Sequence, residues 1–211
     1  ELSFVRDELT AATFTDGKAT AQGIAREAKR NEQLNRQETK TKELDAVLLT
    51  ALCRHPLFDA WAMPKSISAP LVNRHTQGMH YGFHADLAIT KPPGVMRRDI
   101  SVTLFLDDPE SYDGGELEVE SPGGLKQAKL PAGHAFMYTT NALHQVREVT
   151  RGVRRAAVFW IQSAIPDDAI RHTIFDLHAA IVSLQERGVT GQELLILGKV
   201  HQNLCRKFAR P

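Results

Sequence analysis

The sequence lacks most of the features that would classify it quickly. Two cysteines in 211 residues, Cys53 and Cys205, lie far apart in helix-like contexts. That excludes a disulfide framework and predicts two buried thiols in a reducing compartment. Long apolar runs are missing; stretches such as Ala46-Val47-Leu48-Leu49 reach only a few residues, so nothing spans a bilayer as a helix. An excess of one charge is missing too. Lys and Arg total 26 against 25 Asp and Glu, a net charge of +1, without the basic field that gathers nucleic acid or anionic lipid. No repeat or low-complexity tract interrupts the chain. No secretory leader is visible, although the sequence begins at Glu1 rather than Met, and a cytoplasmic location is the expectation.

What is present suits one compact domain with appendages. Hydrophobic residues make up 42% and charged residues 24%, enough to bury a core without disulfides or structural metal. Residues 2–9 read as the end of a helix, and Thr15-Asp16-Gly17-Lys18 as a turn. Lys29 to Lys42 is polar and charged, and predicts a solvated loop entering a helix. Leu44, Val47, Leu48, Ala51 and Leu52 form one stripe of that helix, over about Thr41 to Arg54, which Pro56 ends.

After Pro64 the pattern changes to short strands: Ile67 to Arg74, Ser101 to Leu106, Glu116 to Glu120, Lys126 to Leu130, His134 to Tyr138, Leu143 to Val149 and Arg154 to Gln162. Pro92-Pro93-Gly94, Asp113-Gly-Gly115, Pro122-Gly-Gly124 and Pro131-Ala-Gly133 mark turns between them. Short strands without alternating helices predict a mainly β fold with flanking helices, a jelly-roll or cupin-like barrel. Division is expected into a helical part at about 1–65, a β core at about 66–165 and a helical extension at 166–211. In the extension Ile170, Ile174, Leu177, Ile181 and Leu184 make one apolar seam, Gly188 ends the helix, and a second helix runs from about Gly191 to Phe208. Packing against the barrel is the commoner use of such a seam; a homodimer through these helices is the alternative.

The chemistry centres on Tyr81-Gly-Phe-His84-Ala-Asp86. Alone, His84-Ala-Asp86 is weak, since roughly one His-x-acid arises by chance in a chain of this composition. On a strand, however, residues two apart project to one face. His144, at the start of a later strand, is placed to supply a third ligand. Two imidazoles and one carboxylate form the facial triad of non-haem Fe(II) oxygenases. Arg154 lies ten residues beyond His144, on the next strand of an expected hairpin. A buried guanidinium needs an anion, and its fork suits a carboxylate. Arg151 and Arg155 compete for that part, and alternation leaves the choice between Arg154 and Arg155 open.

Taken together, Tyr81-Gly-Phe-His84-Ala-Asp86, Ser111-Tyr-Asp-Gly-Gly-Glu-Leu117, Leu130-Pro-Ala-Gly133, Leu143-His144-Gln-Val146, Arg151-Gly-Val-Arg154 and Trp160-Ile-Gln-Ser163 resemble the bacterial PKHD-type hydroxylases. These form a prolyl-4-hydroxylase-like branch of the Fe(II)/2-oxoglutarate dioxygenases, and the likeness covers nearly the whole chain. It implies a double-stranded β-helix with flanking helices over 1–165. It implies Fe(II) on His84, Asp86 and His144, and a salt bridge from Arg154 to the C5 carboxylate of the cosubstrate 2-oxoglutarate. O₂ is the second cosubstrate and ascorbate a supporting reductant. One position departs from the pattern: relatives usually carry Tyr after Asn-Arg, where this chain has His75. Tyr81, Tyr138 and His75 itself are candidates for that part of the cosubstrate site. Phe83, Leu104, Trp160 and Asn31 are candidates for the substrate pocket, while His80 and His134 match no ligand position. The implied reaction is hydroxylation of an unidentified small molecule or peptide, coupled to decarboxylation of 2-oxoglutarate to succinate and CO₂. A metal-dependent hydrolase or isomerase on the same barrel, and a non-catalytic iron or keto-acid sensor, are the alternatives from other classes.

Overall fold

Period-2 and period-3.6 apolar patterns account for most of the elements. The computed structural model describes residues 1–21, 23–37, 41–90 and 94–210. Its α-helices are α1 (Leu2–Ala11), α2 (Gly23–Glu27), α3 (Thr41–Cys53), α4 (Pro56–Ala62), α5 (Asp168–Glu186) and α6 (Gln192–Phe208). The first strands are β1 (Phe14–Asp16), β2 (Lys29–Arg30), β3 (Glu32–Leu34), β4 (Pro64–Ile67), β5 (Leu71–His75) and β6 (His80–His84). Next come β7 (Ile100–Phe105), β8 (Asp113–Gly114), β9 (Leu117–Ser121) and β10 (Gly124–Ala128). The last are β11 (Ala135–Thr139), β12 (His144–Val146), β13 (Val149–Arg151) and β14 (Arg154–Ser163).

Two sheets enclose the centre. One runs β1-β3-β5-β14-β7-β11, with β4 paired to the far end of β14; the other runs β10-β9-β12-β6-β2. β8 and β13 make a separate two-stranded ribbon. Residues of both sheets line one cavity between them. This is the expected double-stranded β-helix, built as two sheets rather than a closed barrel.

The larger sheet has two chemically distinct faces. On β7, Ile100, Val102 and Leu104 join Ala157, Phe159 and Ile161 of β14 in a core with Val5, Leu9, Leu44, Leu48, Leu52 and Phe58. Helices α1, α3 and α4 therefore cover that face, each buried leucine contributing roughly 1.5–3 kcal/mol. The intervening residues Ser101 and Thr103, with Val158 and Trp160, belong to the cavity side. Polar residues placed at every second position thus keep one face for chemistry while the other packs.

Several expectations need correcting. The first part of Lys29 to Lys42 is not a solvated loop: β2 and β3 lie within it, and Lys29, Asn31, Gln33 and Leu34 are buried, while residues 38–40 lie outside the described residues. These strands join the two sheets, so the region before residue 66 is part of the β architecture as well as helical. Ile67 to Arg74 is two strands, β4 and β5, both paired with β14. Leu143 to Val149 is likewise divided into β12 and β13. β12 and β14 do not form a hairpin; they lie in different sheets with β13 between them in the chain. Cys53 is exposed and Cys205 half-buried, so the thiols are free but not both buried. Of the expected turn Pro92-Pro93-Gly94, the two prolines lie outside the described residues. α5 packs against α4 and α6 of the same chain, and its start is capped by the Asp167 carboxylate accepting from the Ile170 amide at 2.9 Å. Among the described residues no helix is long and apolar enough to cross a membrane.

Candidate metal centre

β6 and β12 are neighbours, and their register sets His144 opposite His84. One step further, Val146 stands opposite Tyr81, so β6 takes three residues where β12 takes two. This bulge holds Tyr81 and His84 on one face, which strict alternation forbids. Their rings stack at 3.6 Å between centroids. β6 ends at His84, so Asp86 follows in the coil instead of sharing the strand as expected. Its carboxylate still converges: one ligand atom each from His84, Asp86 and His144 lie within 4.8 Å of one another.

The surroundings fix how these groups point. His84 Nδ1 lies 2.8 Å from the Gly82 carbonyl and His144 Nδ1 lies 3.1 Å from the Ala142 carbonyl. A carbonyl only accepts, so each Nδ1 carries the proton and each Nε2 keeps its lone pair for a metal. Burial and the neighbouring His144 push His84 down to about 4, which keeps the ring neutral. Asp86 Oδ2 accepts from Ser101 Oγ at 2.7 Å and Trp160 Nε1 at 2.9 Å. Two imidazoles and one anchored carboxylate fit Fe(II) and other first-row divalent ions.

A second group of unsatisfied polar atoms lies on the opposite sheet. Arg154 opens β14 directly across from His75 on β5, and its residue is 2% exposed. Arg154 Nε and Nη2, and both ring nitrogens of His75, have no hydrogen-bond partner among the described residues. Burial lowers the Arg154 pKa and, together with that guanidinium, holds His75 well below the usual imidazole range. Gly115 makes room for Arg154: its φ is +67°, and a Cβ there would come within 2.9 Å of Arg154 Cδ. The competing arginines are occupied. Arg155 points to the other face and pairs with Asp107 at 2.7 Å, while Arg151 pairs with Asp113 at 2.7 Å on the surface. A buried fork without an anion of its own is a site for one.

The cavity measures about 310 Å³ and takes in Asn31, His75, Tyr81, Tyr138 and Trp160 besides the triad and Arg154. Tyr138 stands edge-on to His144 at 5.0 Å, with burial raising its phenol pKa. Two pocket candidates fall elsewhere. Phe83 is 45% exposed because the bulge turns it outward, and Leu104 belongs to the core under the helices, on the wrong face of β7. His134 is exposed, and His80 lines a second, outer cavity. Sequence reasoning missed Lys29, Thr20, Asn73, Arg98 and Ser101. The clue was there: Lys29, Asn31 and Gln33 are spaced two apart, the period of a strand with one polar face inward.

Known proteins resemble this chain over most of its length. The family profile described as the 2OG-Fe(II) oxygenase superfamily matches residues 70–162. A PKHD-type hydroxylase of Klebsiella pneumoniae (strain 342) is 44% identical over 203 residues, 95% of this chain and 90% of that protein. Among solved structures, a 2OG-Fe(II) oxygenase family oxidoreductase from Burkholderia pseudomallei aligns with TM-score 0.55 at 21% identity, over 77% of this chain and 78% of the other. A Pseudomonas putida prolyl-4-hydroxylase aligns with TM-score 0.54 at 14% identity, over 76% and 83%. These two likenesses concern the fold.

Proposed function

The chain belongs to the PKHD-type hydroxylase family, and from that premise we propose how its residues divide the work of an Fe(II)- and 2-oxoglutarate-dependent hydroxylase. His84 Nε2, His144 Nε2 and the Asp86 carboxylate hold the iron. Bound there with 2-oxoglutarate and O₂, iron supplies the hydroxylation of a substrate C–H bond as the keto acid goes to succinate and CO₂. Ser101 and Trp160 hold the Asp86 carboxylate in place, and the stacked Tyr81 ring limits rotation of His84. Arg154 grips the distal carboxylate of 2-oxoglutarate through its fork, with a His75 ring N–H beside it in place of the usual tyrosine. Leu71, Leu117, Val146 and Val158 exclude water from the space between.

The observation that carries this reading is the pairing of a three-ligand cluster with a buried Arg154, whose Nε and Nη2 have no hydrogen-bond partner among the described residues, in one cavity. Ascorbate, as the reductant that returns oxidised iron to the ferrous state, belongs to the same proposal. So does a reducing, cytoplasmic setting, supported by the unpaired exposed Cys53. Replacing Arg154 with Met should raise the KM for 2-oxoglutarate about 30-fold or more, the loss of a charge-assisted pair worth ~2–3 kcal/mol. Arg155→Met should leave that KM within about twofold, since its partner is Asp107. The opposite pattern would reverse the assignment of the cosubstrate site.

A further inference from the structure

We propose that the hydroxylated substrate carries a carboxylate that binds Lys29, with Arg98 as a second cation in the same cavity. The proposal rests on the reading of that cavity as an iron and 2-oxoglutarate site, and it adds the chemical class of the substrate. Lys29 is 3% exposed yet lines the cavity. Its Nζ sits 4.9 Å from the centroid of the Tyr81 ring, and that ring stacks on His84. The ammonium is therefore one aromatic ring away from a metal ligand, where a substrate poised for oxidation has to lie.

Its hydrogen bonding is incomplete. Lys29 Nζ has three donors and one acceptor among the described residues, Thr20 Oγ1 at 2.9 Å, and no carboxylate at ion-pair distance. The acceptor is itself fixed. Thr20 Oγ1 faces Gln33 Oε1 at 2.9 Å and the Gly17 carbonyl at 3.1 Å. Gln33 Nε2 donates to Asn73 Oδ1 at 3.0 Å, which also accepts from Asn31 Nδ2 at 3.1 Å. The network holds the lysine by one proton and leaves the others unused.

Charge balance points the same way. Lys29, Arg98 and Arg154 line the cavity, and among the described residues Asp86 is the one acidic residue that does. Fe(II) and the dianionic keto acid cancel each other's charge, so the loaded cavity still holds three cations against one carboxylate. Arg154 and Asp86 then account for the cosubstrate and the iron, which leaves Lys29 and Arg98 without counter-charge. Arg98 lies over the Trp160 ring at 3.9 Å, and its Nε has no partner. A buried ammonium in this state is costly, and an anion supplied by the substrate removes the cost. A few free N–H donors beside a point charge suit a carboxylate.

The test uses protein loaded with Fe(II) and 2-oxoglutarate without O₂, titrated calorimetrically with matched probes. N-acetylglycine against N-acetylglycinamide represents a terminal carboxylate. The α-amide of N-acetylglutamate against that of N-acetylglutamine represents a side-chain carboxylate. The natural protein should bind at least one acid about tenfold or more tighter than its amide. Lys29→Met should abolish that preference and Lys29→Arg should keep part of it. Affinity for 2-oxoglutarate, read from the iron-to-keto-acid charge-transfer absorption, should change less than about twofold in Lys29→Met. No acid preference in the natural protein, a preference that survives Lys29→Met, or a loss of 2-oxoglutarate affinity in Lys29→Met would each overturn the proposal. Failure of the underlying reading is distinct: the natural protein would give no charge-transfer absorption at all.

Discussion

Replacing Lys29 with methionine should make the metal-free protein more stable at neutral pH. Burial outweighs the pull of Asp86 and Asp16 and brings the ammonium from its ordinary 10.5 to about 8. By linkage, that displacement is ~3 kcal/mol held against the folded state while the group is charged. Methionine fills a similar volume without charge. It forgoes the hydrogen bond to Thr20, worth ~1 kcal/mol, and the contact with the Tyr81 ring, worth ~0.5–1 kcal/mol. The net gain is ~1–2 kcal/mol, a few degrees in Tm for a chain of this size. Below pH 8 the lysine is protonated in folded and unfolded chains alike, and the whole penalty is present. Between 8 and 10.5 the folded protein has lost the proton that the unfolded chain still binds, so the stability of the natural protein climbs with pH. The methionine variant lacks that climb. Its advantage should be largest at pH 7 and fade above pH 8, as read from urea unfolding of both proteins at pH 7, 8 and 9.5. Taking the difference between the two proteins cancels the other titrating groups. A variant less stable than the natural protein at pH 7, with a gap that ignores pH, would show that burying the Lys29 charge does not cost the fold.

Two further substitutions probe how the site is supported. Gly115→Ala places a methyl within 2.9 Å of Arg154 Cδ at a φ of +67°. It should raise the KM for 2-oxoglutarate about tenfold and cost ~1–2 kcal/mol of stability, and an unchanged KM would detach Gly115 from Arg154. Trp160→Phe removes the 2.9 Å hydrogen bond to Asp86 and should weaken Fe(II) affinity about 10- to 100-fold in chelator competition without unfolding the protein. Equal iron affinity would show that Ser101 alone suffices to hold the carboxylate.

How much of this was readable in advance follows from the range of the forces involved. The apolar stripe of α3 and the seam of α5 are local 3.6-residue patterns, and both helices form where those patterns run. The convergence of His84, Asp86 and His144 was legible because His84 and Asp86 are close in sequence and His144 begins a strand, although the bulge in β6 and the coil position of Asp86 were not foreseen. Pairing geometry was harder. Nothing local says that β12 and β14 join different sheets, nor that Ser101 and Thr103, and not Leu104, face the cavity. Lys29 was misjudged because charge usually signals solvent; here alternate polar residues face an internal cavity. Arg154 and Arg155 could not be separated by alternation, since both faces of β14 are largely apolar. Asp107, which occupies Arg155, lies 48 residues away in sequence and comes beside it only through the fold.

We propose that His84, Asp86 and His144 hold iron in the same cavity where Arg154 receives 2-oxoglutarate. An anaerobic titration of the purified protein with Fe(II) in the presence of 2-oxoglutarate, followed by the charge-transfer absorption, tests both halves at once. The expected result is an absorption saturating at one iron per chain, lost in Asp86→Ala and recovered in Arg154→Met only at much higher 2-oxoglutarate. An absorption of full strength in Asp86→Ala, or none in the natural protein, would contradict it.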